Sequence, residues 1–217
     1  VAAEQYFHDT LATFARLYRF QAQQLVHDAH PDYMTSKWAI ANTNNNIVTV
    51  QHHYAHVLST LAANNSRTQV LAFAFDGTGL GDDHSLWGGE VFIADPINYR
   101  RIGHLSPFKL IGGEQAIKQP KRLLLAILLE KYSQQEIVGL AIPALQSLTP
   151  LLFNNLIKVW HKTPQSNATT SVGRLFDVVA VLLGLVDNIQ YEGQAGLKIE
   201  TAANSISLTA FNNIDNN

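Results

Sequence analysis

Two histidines four residues apart, His52 and His56 in the string Gln51-His52-His53-Tyr54-Ala55-His56, open a segment with helical patterning. Four residues is about one helical turn, so both imidazoles share a face about 6 Å apart, the spacing at which two rings bind one metal ion. His53 falls in the same string but points off that face. A metal needs a third donor, and Asp76 is the candidate. It follows the clearest strand, residues 69–75, and open α/β sheets gather ligands at the carboxyl ends of strands. Two imidazoles and one carboxylate accept zinc or iron. With nine histidines in the chain, a solvated structural pair is the competing reading, and Asp76 has one as an Asx-turn residue.

Other strings offer sites for an anion. Asp76-Gly77-Thr78-Gly79 reads as a tight turn between two strands whose closely spaced N–H groups form a nest for phosphate, although hairpin turns use the same letters. Gly173 follows Thr170-Ser171 at a helix start, where free N–H groups meet a ligand and Arg174 or Asp177 reaches a phosphate or ribose. The alternative there is a helix cap with a surface ion pair. Gly112-Gly113-Glu114 opens a basic helical face carrying Lys118, Lys121 and Arg122, and most such faces are simply solvated. Glu192 precedes the last helix, either as an acid near its N-terminus or as a site residue. P-loop, zincin and α/β-hydrolase motifs are absent.

The elements that must position these residues follow from hydrophobic periodicity and breakers. The pattern predicts helices over 2–20, 34–41 and 52–64, with strands at 24–26 and 47–50. Pro31 biases 27–33 toward a loop, and the Asn-rich stretch 42–46 toward a surface turn. Strands at 69–75, 85–94 and 99–105 form an antiparallel meander. Helices follow at 114–131 with a break near Pro120, then at 134–140, 143–160, 172–185 and 194–204. The stretch 162–170 reads as a loop, and the tail 211–217 has no packing signal. The order predicts an α/β protein built by duplication and cut at both ends.

Composition narrows the field. Of 217 residues, 47% are hydrophobic and 15% charged, enough for a core without staples. A net charge of -2 gives no single-signed field for nucleic acid or an anionic membrane. No apolar run approaches the roughly 18 residues of a membrane span. Zero cysteine removes disulfides, zinc ribbons and thiol nucleophiles, and with no signal peptide at Val1 the expected location is the cytoplasm.

Seven strings in order, HDAHPDY (27–33), VQHHYAH (50–56), DGTGLGDD (76–83), LWGGE (86–90), GGEQAIKQPKR (112–122), SVGRLFD (171–177) and YEGQAGLKIE (191–200), closely resemble the HypF carbamoyltransferase family of nickel-iron hydrogenase maturation. That family is similar to the threonylcarbamoyl-transfer proteins of tRNA modification. The resemblance implies the duplicated ribonuclease-H-like fold of the actin, sugar kinase and chaperone ATPase superfamily. Residues 1–66 then close a first lobe, and 67–217 form the first part of a second lobe with a helical insertion. It further implies ATP-dependent transfer of carbamoyl from carbamoyl phosphate, through carbamoyl-adenylate, to the C-terminal cysteine of a HypE-type acceptor for cyanide synthesis.

By motif position His52, His56 and Asp76 hold a divalent metal, zinc or iron. The backbone of Gly77, Thr78 and Gly79 cradles the adenylate phosphate, and Gly173 and Asp177 match ribose contacts. Arg174, Glu192, Lys118 and Arg122 lie in matched strings without an assigned role. Full-length members carry upstream an acylphosphatase-like domain, zinc-finger-like segments and a domain that makes the adenylate, and downstream a segment with a further metal-binding aspartate. The 217-residue piece alone is therefore expected to have little activity. Two rival readings stand: O-carbamoylation of a small-molecule hydroxyl on the same fold, and an inactive nucleotide-binding remnant.

Overall fold

The computed structural model describes residues 2–41 and 46–205. Helix α1 (Ala2–Tyr18) leads to strand β1 (Gln24–Asp28), helix α2 (Met34–Ala41), strand β2 (Asn46–Val50) and helix α3 (His52–Ala63). Strands β1 and β2 pair in parallel, Gln24 opposite Asn46 through Asp28 opposite Val50. The expected loop over 27–33 thus begins later, because parallel pairing carries the strand through His27 and Asp28. Of the Asn-rich turn, residues 42–45 lie outside the described residues, as does the tail 211–217, and Asn46 already belongs to β2.

The meander forms as expected from β3 (Val70–Leu80), β4 (Leu86–Ala94) and β5 (Tyr99–His104), with β4 antiparallel to both neighbours. The tight turn expected at Asp76–Gly79 does not form. Strand β3 runs on to Leu80, its register against β4 shifting between Phe75 and Gly79, and the chain reverses after Gly81, whose N–H bonds Ser85 O. The extra residues are absorbed as an irregularity inside the strand, which bends it locally. A further departure is β7 (Ala168–Thr169), buried within the stretch read as a loop. It joins β4 at Leu86 and also pairs β6 (Phe108–Lys109).

Helices α4 (Glu114–Lys118), α5 (Lys121–Leu129), α6 (Gln134–Gly139), α7 (Pro143–Gln146), α8 (Pro150–Lys162), α9 (Val172–Leu182) and α10 (Gln194–Asn204) complete the chain. The single helix expected over 143–160 is two, because Thr149 caps a new helix start with Pro150 in its first turn. Helix α9 stops at Leu182, before Gly184 in the left-handed region.

Helix α5 buries four consecutive residues, Leu123 to Ala126, since β6 and α9 cover it from different sides. Each fully buried leucine there stabilises the fold by roughly 1.5–3 kcal/mol. A second core under α3 packs Tyr54, Val57 and Leu61 on Ala74, Trp87 and Phe92 of the meander. That core fixes α3 against β3, and the site lies where these two elements meet. No described helix is long and apolar enough to cross a membrane.

Candidate metal centre and adjoining cavity

Gln51 caps α3, its Oε1 accepting from Tyr54 N at 2.8 Å. The next turn presents three imidazoles to one carboxylate. His52 Nε2 lies 3.0 Å from Asp76 Oδ2, His53 Nε2 3.8 Å and His56 Nε2 4.0 Å. The His52 and His56 rings are 5.0 Å apart. One ligand atom each from His52, His56 and Asp76 all fall within 4.8 Å of one another, a donor set that fits a divalent cation. His53, read as pointing off the face that His52 and His56 share, is outside this set and fully buried against Trp87, because the helix turns it toward β3 and β4.

A fifth group escaped the reading of single residues. Asp28, last in β1, accepts His52 Nδ1–H at Oδ2 over 2.6 Å. The hydrogen bond to Asp76 raises the His52 imidazole to about 9 against the opposing effect of burial, with Asp28 adding to the rise. Burial, then the charge of His52, lowers His53 to about 4. Burial pushes Asp76 up, but the bonds from His52 and from Gly77 N hold its carboxyl below the usual value. Tyr33 also stands in this field, its phenol raised by burial and by Asp28, Asp76 and Glu192. The signal for Asp28 and Tyr33 was the string HDAHPDY, whose loop reading hid their convergence.

The glycines of β3 serve close approach. Neither Gly77 nor Gly79 has positive φ. A Cβ on Gly79 would stand 2.6 Å from His53 Cε1 and 2.7 Å from His52 Cδ2, and one on Gly77 3.2 Å from Glu192 Oε1. A Cβ on Gly173 would meet Gly77 Cα at 2.8 Å, so α9 begins directly against this strand. Ser171 caps α9 by accepting from Arg174 N, and its hydroxyl lies 3.0 Å from Asp76 O and 2.6 Å from Gly77 O.

Beyond Gly77 opens a cavity of about 540 Å³ whose lining includes Thr78, Lys118, Arg174, Tyr191 and Glu192. Its size and mixed charge suit a nucleotide-sized anion. Asp177 does not line it. It is buried behind Arg174, whose Nη1 lies 2.9 Å from Asp177 Oδ2 in an ion pair that is buried rather than superficial. Burial outweighs Arg174 and lifts the Asp177 carboxyl to about 6. Arg122 is also outside the lining, donating to Gln119 Oε1 at 2.8 Å. A larger groove of about 650 Å³ between α3 and β3 has His56 as its sole ionisable lining residue, so it lacks the cations that an anion needs.

The chain is a Kae1-like domain: residues 1–63 match the HypF Kae1-like domain, and residues 72–215 match the second subdomain of the carbamoyltransferase Kae1-like domain. The chain belongs to the HypF carbamoyltransferase family. It is 37% identical over 209 residues to carbamoyltransferase HypF of Synechocystis sp., covering 90% of this chain and 27% of that protein. With HypF2 of Cupriavidus necator it shares 36% over 200 residues, covering 91% and 24%. The crystal structure of T. kodakarensis HypF superposes with a TM-score of 0.79 at 30% identity, over 94% of this chain and 28% of that one. Full-length HypF in a phosphate- and nucleotide-bound form gives a TM-score of 0.79 at 28% identity, over 90% and 30%. The chain spans about a quarter of the length of these curated relatives.

Proposed function

We propose that this chain forms the carbamoyl-transfer site of a HypF-type enzyme of hydrogenase maturation, with residues 1–66 in one lobe and 67–217 in the other. The observation that carries the reading is adjacency. Asp76 faces the imidazoles, while its neighbour Gly77 lines the nucleotide-sized cavity, so cation and nucleotide subsites share a wall.

His52, His56 and Asp76 hold the divalent cation, zinc or iron, which when bound supplies a Lewis acid for carbamoyl or phosphate oxygens. Lys118 and Arg174 bind the phosphate of carbamoyl-adenylate, made from carbamoyl phosphate and ATP. Gly77 and Thr78 let the β3 backbone approach the adenylate closely, whereas Gly79 lies outside the cavity lining and instead makes room for the His52 and His53 rings, and Glu192 takes a ribose or amide donor. Gly173 keeps α9 tight on β3. Asp177 acts from behind, orienting Arg174 rather than touching ribose, and Arg122 braces Gln119 beside the cavity. A thiolate at the C-terminus of a HypE-type acceptor attacks the carbamoyl carbon. The C–S bond forms, the C–O bond to the adenylate phosphate breaks, and AMP leaves with the electron pair. A net charge of -2 offers no single-signed field for nucleic acid or an anionic membrane, and we place the reaction in the cytoplasm.

The test is ATP- and carbamoyl phosphate-dependent labelling of the acceptor cysteine by the intact protein. The reading expects labelling that His52→Ala abolishes. Transfer to a small-molecule hydroxyl instead of the thiol would establish the O-carbamoylation reading. Absence of coupled ADP and metal binding in calorimetry would leave only a remnant.

A further inference from the structure

Three imidazoles surround Asp76, and distance alone does not say which of them ligate, since His53 Nε2 is slightly nearer its carboxylate than His56 Nε2. Hydrogen bonding behind the rings does. A carboxylate only accepts, so Asp28 Oδ2 at 2.6 Å requires a proton on His52 Nδ1, and with a cation in place the lone pair falls on Nε2, toward Asp76. Asp28 is itself held from several sides. Its Oδ1 accepts His30 N at 2.7 Å, its carbonyl accepts Ser36 Oγ at 2.9 Å, and its strand pairs with β2 opposite Val50.

His53 is set the other way. Gln51 Oε1 is committed to Tyr54 N, so the Gln51 amide nitrogen faces Leu80 O at 3.0 Å and His53 Nδ1 at 3.3 Å. One amide hydrogen goes to each. His53 Nδ1 therefore accepts, its proton sits on Nε2, and a protonated nitrogen does not ligate. That Nε2 is buried with no hydrogen-bond partner, 3.8 Å from Asp76 Oδ2, so the tautomer is set by the Gln51 contact at Nδ1 alone.

We infer that Asp28 selects His52, and Gln51 excludes His53, as the cation ligand beside Asp76, by fixing adjacent imidazoles in opposite tautomers. The inference deepens the cation-site reading above and rests on it. Asp28 is a positioning residue that acts through His52, and carboxylates placed behind ligating histidines orient the ring and raise its basicity.

The experiment titrates zinc into the intact protein against a chromogenic chelator, for wild type, Asp28→Asn, Asp28→Glu and Ser36→Ala. Ser36→Ala removes the bond to the Asp28 carbonyl but spares its carboxylate. Asp28→Asn is expected to weaken zinc binding about 10- to 100-fold, the usual loss when such a partner is changed. Asp28→Glu, which keeps a charged carboxylate where Asp28→Asn keeps only a neutral amide acceptor, recovers part of this loss, and Ser36→Ala matches wild type. At saturating cobalt(II) the visible band shifts in Asp28→Asn and not in Ser36→Ala, a signature that a merely structural role does not move. Wild-type affinity and an unchanged cobalt band in Asp28→Asn overturn the inference and leave the cation site standing. Equal losses in Asp28→Asn and Ser36→Ala overturn it too, as does weaker binding by Asp28→Glu than by Asp28→Asn. No zinc binding by wild type overturns the cation site itself, and this inference with it.

Discussion

Adding one methyl group at Gly79 tests how tightly the site is built. A Cβ there would lie 2.6 Å from His53 Cε1, 2.7 Å from His52 Cδ2 and 3.0 Å from His52 Cγ. Carbon atoms settle at about 3.5–4.0 Å, so roughly 1 Å of clearance must be found. His53 is fully buried against Trp87 and held by Gln51, so the partly exposed His52 ring must shift and disturb its bonds to Asp28 and Asp76. A displacement of about 1 Å in a positioned group costs on the order of 100-fold in function. Overpacking adds about 1–3 kcal/mol of destabilisation.

Because Gly79 has no positive φ, backbone strain contributes nothing and the whole effect comes from contact. Gly196 is the control: it lies inside α10, where an added methyl would meet nothing within 4 Å, so Gly196→Ala should stabilise by about 0.5–1 kcal/mol. Urea unfolding and zinc titration read both variants. If Gly79→Ala unfolds and binds zinc as wild type does, the close packing of β3 against the two imidazoles is refuted.

Glu90, fully buried, accepts from Gly88 N, Gly89 N, the Thr170 hydroxyl and Arg101 Nε, so Glu90→Gln should lose about 3–5 kcal/mol in denaturant unfolding, as when one partner of a buried charge pair is removed. Asp177 carries a folded-state value of about 6 against an ordinary 3.8. The folded protein therefore holds this proton more tightly than the unfolded chain, and its stabilising share is complete below the ordinary value and lost as pH rises through about 6. Stability of wild type relative to Asp177→Asn, followed by urea unfolding across that window, should fall with rising pH. A flat difference would sink the assignment. Lys118→Ala should weaken ADP binding in calorimetry and leave zinc affinity unchanged, because Lys118 lines the cavity and is not among the groups around Asp76.

What the sequence made legible was local, and what it hid was made by pairing. His52 and His56 could be placed on one face because the helical period is intrinsic to the chain, and Asp76 could be placed at the end of a strongly apolar run. The glycines after Asp76 mislead because the letters of a turn are also those of a strand pressed against something large. Only the opposite residues of β4, Leu86 and Trp87 against Leu80 and Gly79, show that the strand continues. Asp28 was hidden for a related reason. Three residues of alternation followed by Pro31 look like a strand running out, yet parallel pairing with Val50 extends it and aims the carboxylate at His52, 24 residues away. Asp177 follows the same logic in reverse. Its place near a helix start offered it to a phosphate or ribose, but whether it meets ligand or core depends on Arg174 lying between Asp177 and the cavity. A motif reading therefore finds the residues that touch a ligand more readily than those that hold them. In this chain the second group, Asp28, Gln51 and Asp177, decides which nitrogen or guanidinium the first group presents.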